Sequence, residues 1–239
     1  ITDHGNLYGA IKFYNVCKKE GIKPIIGCEF YVTNDLYNKT SRRGPDGEDD
    51  ESNPQYHLVL LAKDNEGFHN LIKLSSKGFV DGFYGRPRID LNYLSKHSKG
   101  LICLTACIAG AIPKILLNRM LPDRYEQAKK YALELKSMFE EGDFYIELQN
   151  HHLDVEREVN PQLVKLAKEI GVKCVATNDV HYIKESDWKM HDVLLCIQTA
   201  SDYDDPNRFR FLCKEFYLKN YDQMFEVLGW CPEALDNTL

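Results

Sequence analysis

The chain has 239 residues, 44% of them apolar, and a formal net charge of −6. That is enough for one large α/β domain, or for one domain and the start of another, with a sizeable core. It excludes a general basic field for nucleic acid and a transmembrane run of 18 apolar residues; the Ile1-Thr2-Asp3-His4 opening lacks the basic start and apolar stretch expected of a secretory leader, and the missing initiator Met leads us to expect residues before Ile1.

The first helix is expected over Gly9 to Glu20, closed by Gly21. An apolar run at Pro24–Val32 predicts a buried strand, and Glu29 inside it is a carboxylate that needs a partner. Asn38–Pro54 is polar, rich in Gly, Pro and acids, and predicts a surface loop. The next strand is expected at His57–Ala62. Gly78–Asp90, with its glycines, aromatics, Arg86 and Arg88, predicts an ordered loop whose arginines are structural or touch phosphate.

Further strands are expected at Gly100–Ala106, Phe144–Leu148 and Val172–Ala176. Asp123 is a cap for a helix carrying Tyr125, Ala128, Ala132, Leu135 and Phe139 on one face and ending at Gly142. Asn160-Pro161 supplies a cap and a first-turn proline for a helix whose stripe is Leu163, Leu166, Ala167 and Ile170, stopped by Gly171. Strand–helix alternation of this kind implies a parallel sheet or barrel. After about Asp187 the rhythm stops. The segment Trp188–Leu239 predicts a helix, a polar turn at Asp202–Arg210, a strand-like piece at Phe216–Leu218 and another helix.

Eight cysteines occur without a CxxC pair, several inside apolar runs, which implies reduced, buried thiols and a cytoplasmic protein. Several metal-ligand types sit where a βα barrel builds its active site, at the carboxyl ends of strands. Asp3 and His4 precede the first helix, Cys107 follows one expected strand, and Asp179 and His181 follow another. In an extended segment the two residues of Asp-x-His point the same way. His57 precedes its strand, and the strand-end rule gives no account of it. Carboxylate, imidazole and thiolate together suit Zn, Mn or Fe better than Mg or Ca. Taken singly, an Asp-x-His is more often a turn than a metal site, and a cysteine in a strand is usually core. His151 and His152 follow a strand on the same rim, whereas His69, His97 and His191 are surface or helix residues.

The segments ITDHGNLYGAIKFY, GIKPIIGCEFYV, YHLVLLAKDNEGFHNL, GFYGRPRID, GLICLTACIAG, VATNDVHYI, MHDVLLCIQT and EFYLKN, in that order from residue 1 to about 239, resemble the polymerase and histidinol phosphatase (PHP) domain of the catalytic alpha subunit of bacterial replicative DNA polymerases. The resemblance is to the branch that no exonuclease domain interrupts. It implies an α/β fold, a distorted (β/α)7 TIM-like PHP barrel, over 1–187, with 188–239 as the start of the polymerase region. The family opens with a strand bearing a His-x-His pair that has no counterpart here, so the first barrel strand is expected to be missing.

The resemblance also implies a site for up to three divalent metal ions (Zn, Mn or Fe), with His4, Glu29, His57, Cys107, Asp179 and His181 as ligands. Asp179 and His181 are then catalytic, Asp3 orients His4, His151 is a further rim or supporting residue, and Arg86 and Arg88 are DNA contacts. The implied role is DNA replication, with a metal-dependent 3′-5′ exonuclease or phosphoesterase site. The nucleotidyltransferase centre lies outside this chain. DNA, the proofreading subunit and the sliding clamp are the implied partners, and no membrane is. The alternatives are a non-catalytic interaction module of the polymerase and a stand-alone phosphatase similar to histidinol phosphatase.

Overall fold

A computed structural model of the chain describes residues 1–39 and 53–239, so most of the expected polar loop at 38–54 lies outside the described residues. The architecture is α/β. Its strands are β1 (Thr2–His4), β2 (Gly27–Val32), β3 (Tyr56–Ala62), β4 (Arg88–Ile89), β5 (Leu101–Leu104), β6 (Phe144–Leu148) and β7 (Lys173–Ala176). Its helices are α1 (Ala10–Lys19), α2 (Asn65–Val80), α3 (Leu91–Ser95), α4 (Ala111–Leu117), α5 (Arg124–Lys136), α6 (Asp154–Ile170), α7 (Trp188–Thr199), α8 (Tyr221–Leu228) and α9 (Pro232–Asp236). The chain divides into two compact units, Ile1–Ile146 with Leu166–Lys173, and Glu147–Lys165 with Cys174–Leu239.

In the first unit β2 is the centre, with all of its residues buried. β1 runs parallel along its first half, with His4 opposite Glu29, and β4 runs parallel along its second half, with Arg88 opposite Tyr31. On the other edge β3 is antiparallel to β2 and places His57 opposite Tyr31. β3 is also antiparallel to β5, whereas β5 and the start of β6 are parallel. Among the described strands of this unit, β3 alone therefore runs against the others. Its first residues lie at the rim where the others end.

Several expectations need correction. A short strand that the pattern did not mark runs over Thr2–His4, because β2 offers it a ladder. The segment 78–90 is not one loop: α2 takes Gly78–Val80 and β4 takes Arg88–Ile89. α2 itself escaped the sequence pattern, although Asp64 caps it by accepting from Gly67 N at 2.8 Å. Its buried stripe is Gly67, Asn70, Leu71, Leu74 and Gly78, in which two glycines and an asparagine dilute the apolar period.

The helix expected from Asn160-Pro161 begins at Asp154 instead, with Pro161 inside it. Glu156 sets that start by accepting from His151 N at 2.6 Å and Leu153 N at 3.3 Å. Pro161 is tolerated because the carbonyl it leaves unbonded belongs to the exposed Arg157, where water can serve it. Asn160 spends its amide on Gln149 O at 2.9 Å.

Gly67 shows how closely the first unit packs. A Cβ built there would stand 1.8 Å from the carbonyl oxygen of Gly100. Gly67→Ala is expected to cost about 3 kcal/mol, since backbone on both sides must move. A thermal melt reads this as a drop of roughly 6–12 °C; a melting point within 2 °C of the parent would contradict the packing.

In the second unit Thr177 N donates to Leu148 O at 3.0 Å, so β7 continues beside the end of β6. The strand-like piece at Phe216–Leu218 forms a bridge, Tyr182 to Tyr217, with the segment that follows β7. α7, α8 and α9 supply the helices expected after Asp187, where the alternating rhythm ends. All eight cysteines are free thiols, buried apart from Cys107 and Cys213. Among the described residues no helix is long and apolar enough to cross a membrane.

Candidate functional site

Register alone assembles the first cluster. Glu29 and Tyr31 are two apart on β2 and share a face, and directly paired residues of neighbouring strands share it too. His4, opposite Glu29, and His57, opposite Tyr31, therefore join them. This supplies the account of His57 that strand order could not. An antiparallel strand brings its beginning, not its end, to the rim.

The contacts are short. His4 Nδ1 lies 2.9 Å and His57 Nδ1 2.8 Å from the same Glu29 oxygen, Oε1. Cys107 Sγ lies 3.6 Å from His57 Nδ1, brought there by the turn after β5, in which Ala106 takes a left-handed φ of 62°. Tyr31 packs its ring 5.2 Å from His57, and the exposed Arg86 guanidinium lies 4.9 Å over Tyr31. Burial pushes the Glu29 carboxyl up, but the hydrogen bonds from His4 and His57 outweigh it and bring it down to about 2. Glu29 is thus the partnered carboxylate that its apolar surroundings demanded.

Two nitrogens, a carboxylate and a sulfur at one rim of the sheet are donor types that suit a borderline divalent cation. Among the described residues, though, no three His, Cys, Asp or Glu side chains stand as an open cage. The imidazoles are turned inward onto Glu29. In that orientation Glu29 fixes the direction of both rings.

Asp3 is adjacent to His4 on β1 and faces the other way, where its Oδ2 would lie 3.0 Å from a Cβ on Gly9. It therefore sits against the start of α1 and does not orient His4. Arg88 is also corrected: it is wholly buried and donates to the carbonyls of Gly82, Asn38 and Leu36 at 2.9, 3.0 and 3.1 Å. Its guanidinium is spent on backbone carbonyls and presents no exposed donor.

In the second unit Asp179 and His181 do come together, with Oδ1 3.7 Å from Nδ1. The cause is not the extended alternation expected of them. Asp179 takes a left-handed φ of 44°, and His181 Nδ1 meets the Asp179 carbonyl at 2.7 Å, so a turn joins them. His151 is 1% exposed, with Nδ1 2.6 Å from Glu156 Oε1 and Nε2 3.1 Å from Asn178 O. His152 is exposed, and His69 and His97 each bond a carbonyl of their own helical turn. His191, on α7, stacks edge-on 5.4 Å from His181. Sequence reasoning missed Tyr31, Asn178 and Lys219, whose types carry no metal signal and whose roles arise only from register and burial.

The PHP domain model matches residues 1–151, and the chain belongs to the PHP domain family. Across its whole length it is 46% identical to the DNA polymerase III subunit alpha of Borreliella burgdorferi, and 42% identical to those of Treponema pallidum and Thermus aquaticus. It covers 20%, 20% and 19% of those three proteins, so the chain spans about a fifth of the length of the curated relatives it matches.

Proposed function

We propose that the chain is the PHP region of a replicative DNA polymerase alpha subunit and carries a metal-dependent phosphoesterase site that trims DNA 3′ ends. Supporting this is the convergence of His4 and His57 on one oxygen of Glu29, with Cys107 beside them. On this reading His4, Glu29, His57 and Cys107 hold one divalent cation, of Zn, Mn or Fe. Asp179 and His181, in the second unit, are metal ligands in their own right. Residues 1–187 are the PHP part and 188–239 lead toward the polymerase region. DNA, the proofreading subunit and the sliding clamp are the partners.

A bound cation supplies Lewis acidity toward a phosphoryl oxygen and a water ionised at neutral pH. The protein's own residues do the rest. Glu29 sets the rings of His4 and His57. Arg86, exposed above Tyr31, offers its guanidinium to a backbone phosphate. Asp179 or a neighbouring carboxylate orients a water and takes up a proton, with no single base assigned.

Elemental analysis of the protein at its full natural length, with an exonuclease assay before and after chelation, tests the reading. At least one transition-metal ion per chain is expected, and hydrolysis should vanish on chelation and return with Mn2+ or Zn2+. A metal-free preparation that never hydrolyses DNA in the presence of added Zn2+, Mn2+ or Fe2+ would sink it.

A further inference from the structure

The turn that presents Asp179 and His181 is held by more buried polar chemistry than a loop needs. Asn178, 6% exposed, donates both amide hydrogens, to Glu215 O and Tyr217 O, each at 2.8 Å. Its Oδ1 lies 3.4 Å from the ammonium of Lys219, whose side chain is 1% exposed. Lys219 also donates to Glu215 O at 2.6 Å and pairs with Glu215 Oε2 at 2.9 Å. From the other side His151 Nε2 reaches the Asn178 carbonyl at 3.1 Å, while Glu156 holds His151 Nδ1 at 2.6 Å. A carbonyl can only accept, so Nε2 carries a hydrogen and the ring is fixed in direction. Phe216 stacks on that ring at 4.1 Å, and its own carbonyl accepts from His181 N at 2.8 Å.

Burying a lysine and a histidine is unfavourable unless each is fully satisfied, and here each is used on the same few residues. Asp179, left-handed without being glycine, directly follows the clasped Asn178. We propose that Lys219 and His151 are positioning residues that act through Asn178 to hold the Asp179–His181 turn in its ligand geometry. The inference rests on the reading of Asp179 and His181 as ligands.

Lys219→Met keeps the aliphatic stem and removes the donors. In the protein at its full natural length, two quantities are measured: affinity for the Mn2+ that Asp179→Asn removes, and hydrogen exchange of the peptide spanning 177–184. Mn2+ binding at least about 10-fold weaker is expected, with faster exchange in that peptide. Glu156→Gln, isosteric and gentler on folding, should shift both in the same direction. Gly67→Ala, which strains α2 against Gly100 in the first unit, should lower the melting temperature and leave both readouts alone.

Parental Mn2+ affinity and exchange in both Lys219→Met and Glu156→Gln would overturn the proposal. So would a Gly67→Ala variant that weakens Mn2+ equally, since the effect would then be general destabilisation. If the parent binds no Mn2+ that Asp179→Asn removes, the ligand reading falls, and unchanged exchange would remove the clasp as well.

Discussion

Asp179→Asn is expected to lower 3′-end hydrolysis by about 100-fold to 10,000-fold, the range for losing a group that handles a proton or holds a cation at the reacting centre. The substitution is chosen for the backbone. Asp179 sits at φ 44°, and asparagine is, with aspartate, among the non-glycine side chains that best tolerate this region. The His181 Nδ1 bond runs to the backbone carbonyl of residue 179, which the substitution leaves in place. The turn should therefore survive, with a melting temperature within about 2 °C of the parent. What disappears is the charged carboxylate, with its capacity to take a proton and its attraction for a cation. The assay is release of a labelled 3′ nucleotide by protein purified away from any separate proofreading subunit, with nucleotide incorporation measured alongside and expected to hold. Hydrolysis at the parental rate would remove Asp179 from the site.

The sequence showed the strands well because they are buried on both faces and so are nearly continuous apolar runs. β2, β3, β6 and β7 lie where those runs lie. What it could not show was direction. Nothing in the composition of Tyr56–Ala62 says that β3 runs against its neighbours, and that single fact places His57 on the rim. Short strands were equally invisible. β1 and β4 are too short for a period, and each exists because β2 presents a free ladder along part of one edge. α6 was misplaced because Asn160-Pro161 is a strong local start signal, overridden by the bonds from His151 N and Leu153 N to Glu156. In the site, metal-ligand types announced themselves. Their supports did not, because an asparagine, a lysine or a tyrosine gains a role only from what burial forces it to satisfy. Arg88 shows the converse, a cation whose type suggests phosphate and whose environment forbids it.

Arg88→Met should therefore be a stability defect and not a binding defect. The guanidinium is wholly buried, and its Nε, Nη1 and Nη2 each reach one carbonyl, of Gly82, Asn38 and Leu36. Those carbonyls come from the turn after α2 and the chain beyond β2, so one planar fork ties together segments that share no ladder. Methionine fills much of the same volume and donates nothing, leaving acceptors without partners at a cost of about 1–3 kcal/mol for each one that water cannot reach. A total of about 3–5 kcal/mol is expected, since part of the group can relax toward solvent. For a chain of this size that lowers the melting temperature by roughly 6–20 °C. Arg88→Lys should recover little, because one ammonium on a flexible stem cannot reproduce the spacing of three in-plane donors. Arg86→Met provides the contrast: exposed over Tyr31, it should melt near the parent and weaken DNA binding in a salt-dependent way. If the two arginines exchanged behaviours, with Arg88→Met stable and deficient in DNA binding, burial would be the wrong guide to either.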